Sequence, residues 1–202
     1  MARPKNSPEK IERMRNAMMD AVVELLDEVP PDKVSIRMIA DKIGVSHMVF
    51  YTYFEYRAEI IQALVKRQQE RIDRQFQGLI EKAEKESVTE VLKVVLRDYV
   101  QKAHDHPKIF RLFWMPPESS GVEEDETLKH FMPTIENLQE LISLGIEKGE
   151  FSQRNSYLAS VTLLSLINAP LIMHICGKMP GQVTCDQLLD EVVIALFAYL
   201  DN

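Results

Sequence analysis

A catalytic or metal site in this chain would have to be built from a few histidines, two cysteines and scattered carboxylates. His104 and His106 stand two apart before Pro107, where the apolar spacing ends a helix. As metal ligands they would need His130 or glutamates of the run Glu123-Glu124-Asp125-Glu126, and no spacing places these; histidines beside the last carbonyls of a helix are the simpler reading. His174 is expected to be hydrogen-bonded inside a helical bundle. Cys176 and Cys185 form no CxxC pair, so two free thiols are expected, with a disulfide between them left open. There is no Gly-rich phosphate loop, no HExxH and no Ser-His-Asp arrangement. No catalytic residue, metal or cofactor is therefore expected, and a helical enzyme is the weakest functional reading.

Binding chemistry concentrates instead between Val34 and Ile61. Ser35 is a good N-cap, and Ile36, Ile39, Ala40 and Ile43 repeat at three and four residues, which gives a short helix one buried face. Gly44 ends it, because glycine allows the left-handed conformation of a sharp turn, and Val45 anchors the corner. Ser46 caps a second helix that turns Val49, Phe50 and Tyr53 inward. His47, Met48 and Thr52, with Tyr51 nearby, are left on a face that fits a major groove. Ala40 is small where the two helices cross. The competing reading is a helical pair whose aromatics only fill a core.

The run Phe50-Tyr51-Thr52-Tyr53-Phe54, then Arg57 and Glu59-Ile60-Ile61, resembles the end of the recognition helix and the start of the next helix in the TetR family of transcriptional regulators. Two positions depart from that pattern: Met48, where a small residue is commoner, and Pro30-Pro31, where a Gly-aromatic pair is commoner. Arg57 sits where the resemblance implies a phosphate contact. DNA-binding candidates are thus Ser35, Arg37, Ser46, His47, Met48, Tyr51, Thr52 and Arg57. His47 and Thr52 suit base edges or phosphates, Met48 a thymine methyl, and Tyr51 a phosphate. Gly145-Ile146-Glu147-Lys148-Gly149-Glu150-Phe151 is a second, weaker match, to the turn before the last two helices of many TetR-like proteins.

The elements that must position these residues are all helical. Ser7-Pro8 with Glu9 opens the first helix, whose stripe of Ile11, Met14, Met18, Ala21, Val22, Leu25 and Leu26 runs to about Glu28. Further helices are expected over 57–86, 88–104, 108–115, 128–148, 156–176 and 186–200, about nine in all, with a mobile acidic loop at 116–127. The net charge of −7 does not announce a nucleic-acid binder, since residues 1–60 hold nine Lys or Arg against ten Asp or Glu. Arg3, Lys5, Lys10, Arg13 and Arg15 nevertheless form a basic arm fit for phosphates or a minor groove. Residues 1–20 are too charged for a signal peptide and 157–176 too often interrupted for a membrane span, so a cytoplasmic protein without membrane contact is expected.

The fold class expected is all-α: a three-helix DNA-binding domain over 1–56, then a larger helical domain over 57–202 for dimerisation and, by the resemblance, a small effector. Val192 to Leu200 is apolar without a break, and a second copy of helices 156–176 and 186–200 across a two-fold axis would cover it. Pocket candidates are Phe76, Tyr99, His104, Phe110, Trp114 and Phe131, for an apolar or aromatic effector. The resulting reading is a repressor that binds a pseudo-palindromic double-stranded operator as a homodimer and is released by that effector. The alternative is a DNA-bound regulator with no small effector, controlled by a protein partner.

Overall fold

The computed structural model of this 202-residue chain describes residues 7–115 and 124–201, with the side chains of 124–131 left out. Arg3 and Lys5 of the arm, residues 116–123, and the side chains of His130 and Phe131 lie outside the described residues. Every described element is helical: α1 (Pro8–Glu28), a 3-10 turn (Pro31–Lys33), α2 (Ile36–Lys42), α3 (His47–Phe50), α4 (Arg57–Lys85), α5 (Val88–Asp105), α6 (Pro107–Trp114), α7 (Glu124–Glu147), α8 (Ser156–Ile175) and α9 (Cys185–Asp201). The all-α class expected from the sequence is the class observed.

Packing divides the chain into two compact units, residues 1–68 with 108–127, and residues 69–107 with 128–202. In the first, α1 starts where Ser7 accepts a hydrogen bond from the Lys10 N–H and Pro8 fills the first turn. Its inner face of Met18, Val22, Leu25 and Leu26 joins Val34, Ile39, Phe50 and Phe54 in one core, while Ile11, expected on that stripe, is 39% exposed. Ile60, Ile61 and Leu64 of α4 and Leu112 of α6 belong to the same core. The packed unit runs on to residue 68, because the first turns of α4 carry the apolar side chains Ile60, Ile61 and Leu64 into this core.

In the second unit α5 packs on α8 and α8 on α9. The start of α7 differs from expectation: residues 124–127 form its first turn rather than a loop, and an acid-rich composition is as compatible with a first helical turn as with a loop. After α7 the chain turns sharply at Gly149, and Gly145 in the last turn of α7 lets it fold back closely. Gly149 has φ 71°, and a Cβ on Gly145 would overlap the ring of Phe151, itself 4% exposed. Two charges two residues apart then clasp the corner between α4 and α5. Lys148 donates to the carbonyls of Ala83, at 2.8 Å, and Glu86, and Glu150 accepts from the Val88 and Thr89 N–H groups, both at 2.9 Å, and from the Ser87 hydroxyl at 2.7 Å. A cation thus sits on helix-end carbonyls and an anion on helix-start donors, each the favourable sign.

Helix α8 is long and apolar enough to cross a membrane by length and composition. It buries Ser160, Leu163, Ile167, Asn168 and Leu171, and leaves Leu158 (58%), Tyr157 and Leu166 exposed. Helix α9 likewise buries Leu189, Leu196 and Leu200 and leaves Ile194 (64%) and Tyr199 exposed. An apolar face thus remains uncovered on both helices of this pair.

Candidate nucleic-acid interface

The corner between α2 and α3 is held by backbone geometry and by arginines from either side. Ser35 caps α2 by accepting from the Met38 N–H at 3.2 Å. Gly44 takes φ 71°, its N–H donates to the Asp41 carbonyl at 3.1 Å, and the Val45 N–H to Ala40 at 3.0 Å. Ala40 is fully buried where the helices cross. Ser46 occupies the cap position of α3, but its hydroxyl makes no capping bond. The Val49 N–H donates to the Ser46 carbonyl at 2.9 Å. Helix α3 itself is only His47–Phe50, and tight turns closed by the Thr52 and Tyr53 N–H groups continue it.

The two faces of this segment separate as its spacing requires. Phe50, Tyr53 and Phe54 are buried, whereas Met48 is 63% and Tyr51 50% exposed, with His47 and Thr52 also exposed. Arg37 is exposed and pairs only with Asp41 at 3.7 Å, a surface pair worth ~0–1 kcal/mol that leaves its donors accessible. Arg57 is engaged elsewhere. Its Nε donates to the Val34 carbonyl at 2.6 Å and its guanidinium also to Pro31, so it braces the link into α2. Arg15, read with the basic arm, faces inward: it lies 4.0 Å over the Phe54 ring, donates to the Tyr53 carbonyl and pairs with Glu59 at 3.4 Å. Glu59 in turn accepts from the Glu55 N–H at 2.6 Å. The resemblance motif is thereby explained in part as scaffold, with Arg57 and Glu59 fixing the segments before and after the exposed face. Lys10 and Arg13 stay exposed on α1.

Residues 18–64 match the family model described as bacterial regulatory proteins, tetR family. Over these residues the chain is similar to the TetR family of transcriptional regulators. The matched residues contain the helix-turn-helix of α2 and α3. Solved structures share the fold along nearly the whole chain. FadR from Bacillus subtilis in complex with stearoyl-CoA has TM-score 0.73 at 17% identity, covering 91% of this chain and 98% of its own. A TetR regulator from Haloarcula marismortui has TM-score 0.73 at 18% identity, covering 94% and 97%. RolR in complex with resorcinol has TM-score 0.65 at 18% identity, covering 96% and 90%. No curated protein matches the sequence.

The pocket candidates fall into two groups. Phe110 and Trp114, ring centroids 6.2 Å apart, belong to the first unit. Phe76, Tyr99 and His104 belong to the second, where Phe76 is buried and the Tyr99 hydroxyl donates to Asn168 Oδ1 at 2.6 Å. His104 Nε2 lies 3.9 Å from both Asp186 Oδ1 and Cys185 Sγ, and its ring is 5.9 Å from that of His174. His174 is exposed rather than inside the bundle, because the end of α8 runs out beyond the packed core. No disulfide joins Cys176 and Cys185, and burial together with Asp186 pushes the Cys185 thiol up. Among the described residues no three potential ligands converge as a metal site. Tyr56, 53% exposed just before α4, carries the same aromatic-hydroxyl chemistry as Tyr51 and lies just past the Phe50-to-Phe54 run that holds the sequence signal.

Proposed function

We propose that this regulator binds a pseudo-palindromic DNA operator as a homodimer, acts as a repressor, and is released by a small apolar or aromatic effector held within residues 57–202. The observation that carries the DNA step is the exposed set His47, Met48, Tyr51 and Thr52 on a corner whose inward side chains, Ile39, Ala40, Phe50 and Tyr53, are buried. His47 and Thr52 read base edges or phosphates, Met48 touches a thymine methyl, and Tyr51 holds a phosphate; Ser35, Arg37 and Ser46 flank them. Arg57 acts by holding α2 in place through the Val34 and Pro31 carbonyls. The uncovered apolar face of Leu158, Leu166, Ile194 and Tyr199 supports dimerisation through α8 and α9. Two such copies bring two heads to half-sites about one helical turn apart.

The effector step draws on Phe76, Tyr99 and His104, and on the unbroken run of α4 from Arg57 to Lys85. A ligand that prefers one setting of that helix biases the DNA-bound state, and one that binds both states equally does nothing. RolR with resorcinol and FadR with stearoyl-CoA, an aromatic and a long acyl ligand, support an effector of that class. Titration of a labelled operator with and without candidate aromatic and acyl ligands tests the step. Release by one of them is expected; saturating ligand with unchanged operator affinity contradicts it.

A further inference from the structure

The unit of residues 69–107 and 128–202 carries a polar cluster that its own packing leaves unfinished. Gln69 and Asp73 stand one turn apart on α4, and Thr134 and Asn137 lie on α7. Gln69 is 6% exposed, Asn137 7% and Thr134 9%. Gln69 Nε2 donates to Asp73 Oδ1 at 2.9 Å and to Thr134 Oγ1 at 3.4 Å, and Asn137 Nδ2 donates to the same Asp73 oxygen at 3.1 Å. An ionised carboxylate only accepts, so it dictates which end of each amide faces it. The Gln69 carbonyl oxygen is therefore turned away from Asp73, and it is buried with no hydrogen-bond partner.

We infer that this cluster recognises a hydrogen-bond donor on the effector, a hydroxyl or ammonium group carried on an aromatic or apolar body. The inference rests on the reading that this unit binds an effector. Acceptors exceed donors here, and an orphan buried acceptor is a standing cost that an incoming donor removes. Asp73 lies beside it as a negative group, so carboxylate ligands are repelled and ammonium groups favoured. The apolar surroundings supply affinity and the polar cluster supplies orientation.

Three probes of similar shape test this: toluene, phenol and benzylammonium, titrated into the full-length protein while side-chain amide resonances are followed by NMR. Phenol or benzylammonium is expected to move the Gln69 and Asn137 amide signals saturably and to bind about tenfold tighter than toluene. Gln69→Met, close in shape but without the acceptor, should bring phenol to within about twofold of toluene. Thr134→Val serves if that variant does not fold. Asp73→Asn should weaken benzylammonium and spare phenol, which tells the two donors apart. Equal binding of all three, or no saturable shift of those amides, overturns the proposal and leaves the cluster as a device that registers α4 against α7. Operator affinity is read in parallel. A probe that occupies the cluster without changing DNA binding removes the effector reading and keeps the site; a ligand that releases DNA while leaving the Gln69 signal unmoved does the opposite.

Discussion

Replacing Glu150 with glutamine should destabilise the fold by about 1–2 kcal/mol at neutral pH and by less than half of that near pH 3. Partial burial alone pushes the Glu150 carboxyl up, but the bonds from the Thr89 N–H, the Ser87 hydroxyl and the Val88 N–H outweigh it and hold the group down at about 2, against an ordinary 4.5. At ~1.4 kcal/mol per pH unit that difference sets a ceiling of ~3 kcal/mol, which solvent around a partly exposed side chain reduces to ~1–2. The folded value lies below the unfolded one. The stabilisation is therefore complete above about pH 5 and is lost as pH falls toward 2. Glutamine keeps the shape and one acceptor but loses the charge. Urea denaturation of parent and variant at pH 7, 5, 4 and 3, at one protein concentration, gives the difference directly. A gap that stays constant down to pH 3 would refute the electrostatic origin and leave only a steric effect of the amide.

Other substitutions separate scaffold from interface. Gly145→Ala should lower stability by ~1–3 kcal/mol through the overlap with Phe151, read as a drop in Tm; no drop would mean the ring has another place to go. Arg57→Ala removes donors to Val34 and Pro31 and should destabilise the N-terminal unit by ~1.5–3 kcal/mol as well as weaken DNA binding. Tyr51→Ala, at an exposed position, should leave the urea midpoint unchanged while weakening binding to every DNA sequence about equally; a loss confined to one sequence would make Tyr51 a base reader. Ile194→Glu should shift the protein toward monomer in light scattering, because a charge would replace an exposed apolar side chain on α9, and an unchanged mass would take that face out of the dimer interface.

What the sequence made legible follows distance along the chain. Helix starts at Ser7-Pro8 and Ser35, and the left-handed turns at Gly44 and Gly149, depend on neighbours within four residues and were readable. So was the split of Phe50 and Tyr53 from Met48 and Tyr51, because helical spacing sets it. Side chains whose partners are remote were not. Arg57 spends donors on carbonyls 23 and 26 residues away, and Arg15 on one 38 residues away. Glu150 appeared only as part of a turn, since its partners lie at the start of α5. The Gln69, Asp73, Thr134 and Asn137 cluster joins α4 to α7 across 65 positions and leaves no pattern in spacing. At the start of α7 the acidic run read as loop because its composition suits both a surface loop and a first helical turn.

The central claim is sequence-specific DNA binding by the corner of α2 and α3. Selection from a random duplex library with the purified protein, followed by titration of the winning sequence at two salt concentrations, tests it most directly. The account predicts an enriched pseudo-palindrome, bound by dimers, with affinity that falls as salt rises. No enriched site, with only weak salt-dependent binding to any duplex, would contradict it.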